Sequence, residues 1–102
     1  MSQIERIEKI IFGCLQEINE YLDIEELKHP NKETRLYGSK SGLDSLALVG
    51  LIAEIEDQIS EEFGVTVLLA DQRAMSQRTS PFRRVITLSD YVNTLIDEAK
   101  SA

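Results

Sequence analysis

A serine that directly follows an aspartate is the residue best suited to chemistry in this 102-residue chain. Asp44 is predicted to cap a helix that begins at Ser45, because hydrophobic periodicity starts there after a long irregular stretch. The unpaired N–H groups of a helix start, together with the helix dipole, favour an anion by about 0.3–1 kcal/mol. Ser45 should therefore face solvent, where its hydroxyl could carry a phosphodiester. Leu43 and Leu46 flank this pair and are expected to anchor the turn against the core.

Ser45 also has plainer interpretations. Serine is common at helix starts without any further role. A hydrolase built on Ser45 and His29 is disfavoured, because an aspartate adjacent to the nucleophile is badly placed to orient the histidine. The stretch 38–42 resembles a phosphate loop but lacks the G-x-x-x-x-G-K-[ST] pattern. His29 is expected to be solvated and Cys14 to pack in the core, and the chain has no cluster with metal-ligand spacing.

The first helix has the clearest signal. Ser2 and Glu5 form an S-x-x-E capping box. Apolar residues then recur at spacings of three and four and predict a helix of about 20 residues: Ile4, Ile7, Ile11, Leu15, Ile18 and Leu22. Residues 23–43 contain turn formers and no periodicity, so they are predicted to form a long loop that Leu27 and Leu36 pin to the core.

The second helix is predicted from Ser45 to Gly64, where glycine ends it. Its buried stripe is expected to comprise Leu48, Leu51, Ile52, Ile55, Ile59 and Phe63. Glu54, Asp57 and Glu61 share an exposed stripe at helical spacing. These three acids have two open interpretations, an ordinary solvated face or a surface that binds a partner.

The remaining third of the chain is less regular. Residues 65–69 look strand-like, but we favour apolar loop residues packed under the helices over a two-stranded pair with 85–86. A short helix is predicted near 72–75. Thr87 is predicted to cap a last helix with Asp90 at its third position. The inner face of that helix is expected to comprise Leu88, Val92, Leu95 and Ala99, widened by Tyr91 or Ile96.

Together these elements predict one all-α domain over 1–102, a bundle of three major helices and one short helix. The net charge of −7 combines a balance of −8 over residues 1–62 with one of +3 over 63–86 and −2 over 87–102. This charge disfavours nucleic acid and anionic membranes as partners and favours basic protein surfaces. No apolar run approaches a membrane span, no signal peptide is evident, and the single cysteine fits a reducing compartment. A cytoplasmic monomer is therefore expected.

The residues around Ser45 resemble the acyl and peptidyl carrier proteins. That family has Asp-Ser-Leu at the start of its second helix, usually preceded by a glycine and an aliphatic residue. This sequence has all five residues, Gly42-Leu43-Asp44-Ser45-Leu46. A Thr-x-Leu often lies about ten residues upstream in the family, and 34–36 matches it. The order of helices and the acidic composition extend the resemblance over nearly the whole chain.

The resemblance implies a carrier rather than an enzyme. Ser45 would receive 4′-phosphopantetheine from coenzyme A through a separate phosphopantetheinyl transferase, and Asp44 would help that transferase bind or coordinate its metal. The thiol of the arm would hold an acyl or aminoacyl group as a thioester for loading and acyl-using enzymes. Glu54, Asp57 and Glu61 would meet basic residues of those enzymes, and the core between the helices would shelter short acyl chains.

Two departures from the family indicate a specialised lipid, polyketide or other biosynthetic pathway. The interval from Ser45 to Phe63 is about one helical turn longer than usual, and the basic segment 73–84 is also long. Arg73 and Arg78 in that segment have two interpretations, a solvated loop or a partner contact. A different class of function also remains open, a helical adaptor that carries nothing and binds a partner through its acidic face.

Overall fold

The computed structural model describes residues 2–36, 45–69 and 83–101. These residues form three α-helices, α1 (Gln3–Leu22), α2 (Ser45–Phe63) and α3 (Val85–Ser101), with a short 3₁₀ turn (Glu25–Leu27) after α1. They contain no β-strand, only an isolated antiparallel bridge between Arg35 and Arg84. The predicted all-α architecture is confirmed for these ranges. The short helix predicted near 72–75 lies outside them.

Helix α1 begins and ends as its sequence requires. The Ser2 hydroxyl accepts a hydrogen bond from the Glu5 backbone N–H at 3.2 Å, which confirms the predicted N-cap. At the other end, Asp23 has a left-handed conformation (φ 51°), and its N–H donates to the Asn19 carbonyl. Glu8 of this helix is a buried acid, and its carboxylate lies 3.9 Å from the Lys32 ammonium of the following loop.

The core lies between α1 and its two neighbours, α2 and α3. The predicted stripes of all three helices supply most of it, and Cys14 packs there as expected. Leu27 and Leu36 are fully buried, so the loop after α1 is pinned as predicted. In the segment after α2, Val67 and Leu69 are buried without forming a strand, which confirms the preferred interpretation of 65–69.

The start of α3 differs from the prediction. The helix begins at Val85, three residues before Leu88, where a Thr87 cap would have started it. Thr87 is instead the third helical residue, and its hydroxyl reaches back to accept from the Arg84 N–H at 3.1 Å. The reason is a long-range contact, because the Thr34 carbonyl accepts from the Val85 N–H and the Arg83 carbonyl accepts from the Leu36 N–H. This pairing with the first loop holds Val85 in place, so α3 begins at Val85 and not after Thr87.

Candidate functional site

Helix α2 is described from Ser45 onward, so the prediction that the helix begins at this residue stays a prediction. Asp44, Leu43 and the glycine before them lie outside the described residues, so the predicted cap at Asp44 remains a prediction. Helix α2 continues for 19 residues to Phe63. It ends at Gly64, whose positive φ of 68° and N–H bond to the Ser60 carbonyl confirm the predicted stop.

Leu46 does not anchor this turn, and the prediction that it would is wrong. Its side chain is 81% exposed, and that of Val49 is 63% exposed. The reason is helical phase, because each residue advances the direction of its side chain by about 100°. Leu48 and Leu51 set the buried face, so Leu46 points away from the core. The first turn of α2 therefore presents apolar side chains to solvent beside Ser45.

The three predicted acids of α2 are all exposed and line one face of the helix: Glu54, Asp57 and Glu61. Leu46 and Gly50 lie on the same stripe at spacings of three and four residues, so the face continues toward Ser45. Gln58 donates a hydrogen bond to Glu54 at 2.9 Å. Within the described ranges none of the three acids forms an ion pair, although other acids of the chain do.

A groove that the sequence did not reveal runs between α1 and α2. Its volume is about 280 Å³, and Cys14, Ile18 and Leu51 form its apolar lining. Tyr21 and Gly50 lie at its mouth, and the Tyr21 side chain is 88% exposed. Three exposed carboxylates also line this α1–α2 groove: Glu17, Glu20 and Glu54. Glu17 and Glu20 were not predicted, because only the pairing of α1 with α2 brings them beside Glu54.

The Cys14 thiol is buried beneath this groove. Burial raises its pKa from 9.0 to about 12, and the negative charges of Glu54 and Glu17 add to the effect. The thiol is therefore protonated at neutral pH and is a poor nucleophile. Cys14 thus packs rather than reacts, as predicted. His29 is exposed, as predicted, and no group of metal-ligating side chains occurs in the described part of the chain.

The arginine segment is described only at its end. Arg73 and Arg78 lie outside the described residues, so their role as partner contacts remains a prediction. Arg84 donates to Glu33 at 2.8 Å and thereby joins the first loop to α3. Arg83 is exposed. At least one arginine of this segment therefore has a structural contact rather than a free side chain.

A fourth acid of α2, Glu56, is half-buried. Burial raises the pKa of its carboxyl, and a backbone hydrogen bond from Leu69 acts in the opposite direction. This hydrogen bond ties the segment after α2 back to the helix. Glu56 therefore has a structural contact with the segment that follows its own helix.

Comparison of the chain with protein-family models, curated proteins and solved structures finds no match. In the described residues, no helix is both long and apolar enough to cross a bilayer.

Proposed function

We propose that the protein is a carrier whose Ser45 oxygen holds a 4′-phosphopantetheine arm. The observation that carries the proposal is that the described part of α2 runs for 19 residues from Ser45, next to a leucine that is 81% exposed. An exposed neighbour supports access of a second enzyme to this turn. The backbone N–H groups and the dipole of the helix start favour the negative charge of a phosphodiester. The Gly42–Leu46 motif supports the same role.

In this proposal the chain contributes an oxygen and a surface, and catalysis belongs to other proteins. The Ser45 oxygen forms the new bond to phosphorus, coenzyme A loses adenosine 3′,5′-bisphosphate, and the serine proton goes to a base of the transferase. When bound, the arm supplies the thiol that forms a thioester with the cargo. Asp44 assists the transferase or its metal, while Leu46 and Leu43 flank the attachment point.

The acidic face of α2 suits a carrier that must leave each partner after one transfer. Glu54, Asp57 and Glu61 are exposed, so each contact with a basic partner is weak and mainly accelerates encounter. Arg73 and Arg78 would add contacts of the opposite sign with loading or acyl-using enzymes. The proposal includes a short helix near 72–75, a cytoplasmic monomer and a specialised biosynthetic pathway.

Modification by a promiscuous phosphopantetheinyl transferase tests the proposal. Incubation with coenzyme A should add the mass of one arm to the wild-type chain, as measured by intact-protein mass spectrometry. Ser45→Ala should gain no mass. Ser41→Ala, which removes the hydroxyl four positions earlier in the sequence, should be modified like the wild type. A wild-type chain that gains no mass would contradict the carrier and favour the helical adaptor.

A further inference from the structure

The α1–α2 groove combines an apolar lining with a rim whose charged side chains are all negative. Cys14, Ile18 and Leu51 supply the apolar lining. The charged side chains that line it are all carboxylates: Glu17, Glu20 and Glu54. None of them forms an ion pair with any described residue. An apolar surface edged by unpaired charge of one sign is complementary to a partner with the opposite charge on its flanks.

The same surface continues along both helices past the groove. Glu54 also lines the neighbouring cavity, which contains Ile10, Asp57 and Glu61. The helices are antiparallel here, because Ile10 lies beside Glu61 whereas Ile18 lies beside Gly50. From Tyr21 to Ile10 the surface is about 17 Å long, which equals about three turns of a helix. Beyond Ile10 the charge is mixed, since Arg6 and Lys9 line the next cavity together with Glu62, which pairs with Arg6.

Gly50 keeps the groove open. It lies in the interior of α2, although glycine is among the poorest helix formers. A Cβ atom at this position would meet no heavy atom within 4 Å, so no close packing requires glycine there. A larger side chain at position 50 would occupy the groove without disturbing the core. Gly13 has equally open surroundings in α1 but does not line the groove, which makes it a matched control.

We infer that the α1–α2 groove, extended along Glu54, Asp57 and Glu61, binds an amphipathic helix of a partner protein that has lysine or arginine beside its apolar face. A helix fits better than an extended peptide, because two helices offer no free backbone groups to pair with a strand, whereas a helix satisfies its own. Leucine-sized side chains of the partner contact Ile18 and Tyr21, the apolar lining residues that solvent reaches. Its basic residues meet the carboxylates on both rims. The inference does not require modification of Ser45.

Binding of defined peptides tests this inference. The probe is a fluorescent helical peptide of about fourteen residues with leucines on one face and lysines on both flanks. A second peptide has the same composition with its leucines scattered around the helix, and a third has glutamate in place of lysine. Fluorescence anisotropy should show binding of the first peptide that weakens as salt is added, with the other two at least about ten-fold weaker. Equal binding of the scattered peptide would overturn the inference, because net charge alone would then explain the affinity.

Substitutions locate the site. Gly50→Leu should weaken binding at least about ten-fold, whereas Gly13→Leu should change it less than about two-fold. Glu17→Gln with Glu54→Gln should weaken binding and reduce its salt dependence, whereas Asp90→Asn with Glu98→Gln on α3 should not. Melting curves verify that each variant folds. Full affinity in both Gly50→Leu and Glu17→Gln/Glu54→Gln would overturn the proposed site.

Two further measurements distinguish other occupants. A wild-type chain that sediments as a dimer, and becomes monomeric in Gly50→Leu, would assign the groove to a second copy and overturn the inference. Loss of peptide binding when an acyl-loaded arm is attached to Ser45 would assign the groove to the acyl cargo. This result would also overturn the inference. Ser45→Ala should bind the peptide like the wild type. Failure of the carrier proposal therefore leaves this inference intact, and the reverse also holds.

Discussion

The chemistry of single residues is governed here by how much water reaches them. Cys14 is 1% exposed and its pKa is raised to about 12, whereas Leu46 stands in solvent beside Ser45. A buried thiol loses the hydration that would stabilise its thiolate, so it resists both ionisation and attack. The single cysteine of the chain is therefore a packing residue and not a nucleophile at neutral pH.

Cys14 should make stability depend on pH in the alkaline range. Its pKa is raised on folding from 9.0 to about 12, so its contribution is fully present below pH 9 and is lost as pH rises toward 12. The difference in unfolding free energy between wild type and Cys14→Ala should fall by about 1–2 kcal/mol between pH 8 and pH 10.5. Urea denaturation of both proteins at the two pH values measures it. A difference that stays constant would show that the thiol ionises as readily in the folded chain.

Residue identities predicted more of the core than of the surface. Cys14, Leu27 and Leu36 are buried as expected. The hydrophobic spacing of α1 implies that Cys14 faces the core, and a long loop needs apolar residues such as the two leucines to hold it against the core. Leu46 was misjudged although the predicted stripe through Leu48 and Leu51 already implies its direction, because steps of about 100° per residue place it on the opposite side of α2. Glu17 and Glu20 could not be connected with Glu54 from sequence, because their proximity follows from the antiparallel register of two helices.

At the level of elements, backbone conformation decides where each helix stops. Gly64 has φ 68°, a region that costs a residue with a side chain about 1–2 kcal/mol. Gly13 lies within α1, where glycine is less favourable than alanine by about 1 kcal/mol. Neither position is crowded, since a Cβ atom would meet nothing within 4 Å at either one. The two glycines therefore differ in backbone conformation and not in packing.

The same substitution should have opposite effects at these two positions. Gly64→Ala should lower the free energy of unfolding by about 1–2 kcal/mol, and Gly13→Ala should raise it by about 0.5–1 kcal/mol. Urea denaturation measures both changes in the free energy of unfolding, provided that all variants are fitted with the same slope of free energy against urea concentration. Gly50→Ala provides a further comparison and should resemble Gly13→Ala. Stabilisation by Gly64→Ala would contradict the left-handed cap at the end of α2.

Helix boundaries were predictable where the signals are local. Ser2 and Gly64 act within a few residues of the turns that they define, and both predictions are confirmed. The start of α3 was misplaced because Val85 is held by the Thr34 carbonyl, about fifty residues away in the chain. A local cap pattern at Thr87 contains no information about that contact.

Across the whole molecule, one cluster at the end of the bundle links all three helices. The Arg6 guanidinium of α1 lies 2.6 Å from Glu62 and 4.5 Å from the centre of the Phe63 ring, both in α2. Lys100 of α3 lies 5.6 Å from the same ring. Gln3 donates to Asn93 at 2.8 Å and joins α1 to α3. The cluster therefore supports the antiparallel arrangement of α1 with both neighbours.

Removal of Arg6 should loosen this end of the bundle. Arg6→Ala should lower the free energy of unfolding by about 1 kcal/mol, since an exposed ion pair and a cation–π contact each contribute a fraction of that value. Arg6→Lys should recover part of the loss. Arg35→Ala is the control, because its exposed side chain makes no ion pair with a described residue. Equal losses in Arg6→Ala and Arg35→Ala, measured by urea denaturation, would show that only net charge matters.

The excess of acids should make the stability of the whole chain sensitive to salt. The protein has 18 acidic and 11 basic residues, and two like charges about 10 Å apart in water repel by about 0.4 kcal/mol. Salt shortens the range of this repulsion from about 30 Å at 0.01 M to about 8 Å at 0.15 M. Addition of NaCl or Mg²⁺ should therefore raise the melting temperature, by about 4–8 °C for each kcal/mol of relieved repulsion.

The acids that face each other between α1 and α2 should account for a measurable part of this effect. Glu17 and Glu54 both act on the buried Cys14, so they lie close enough to repel one another across the groove. Glu17→Gln with Glu54→Gln should raise the melting temperature in 10 mM NaCl and reduce its rise in 200 mM NaCl. Asp90→Asn with Glu98→Gln removes the same charge from α3 and should have a smaller effect. Identical salt dependence in the two double variants would mean that repulsion is spread over the whole surface and not concentrated at the groove.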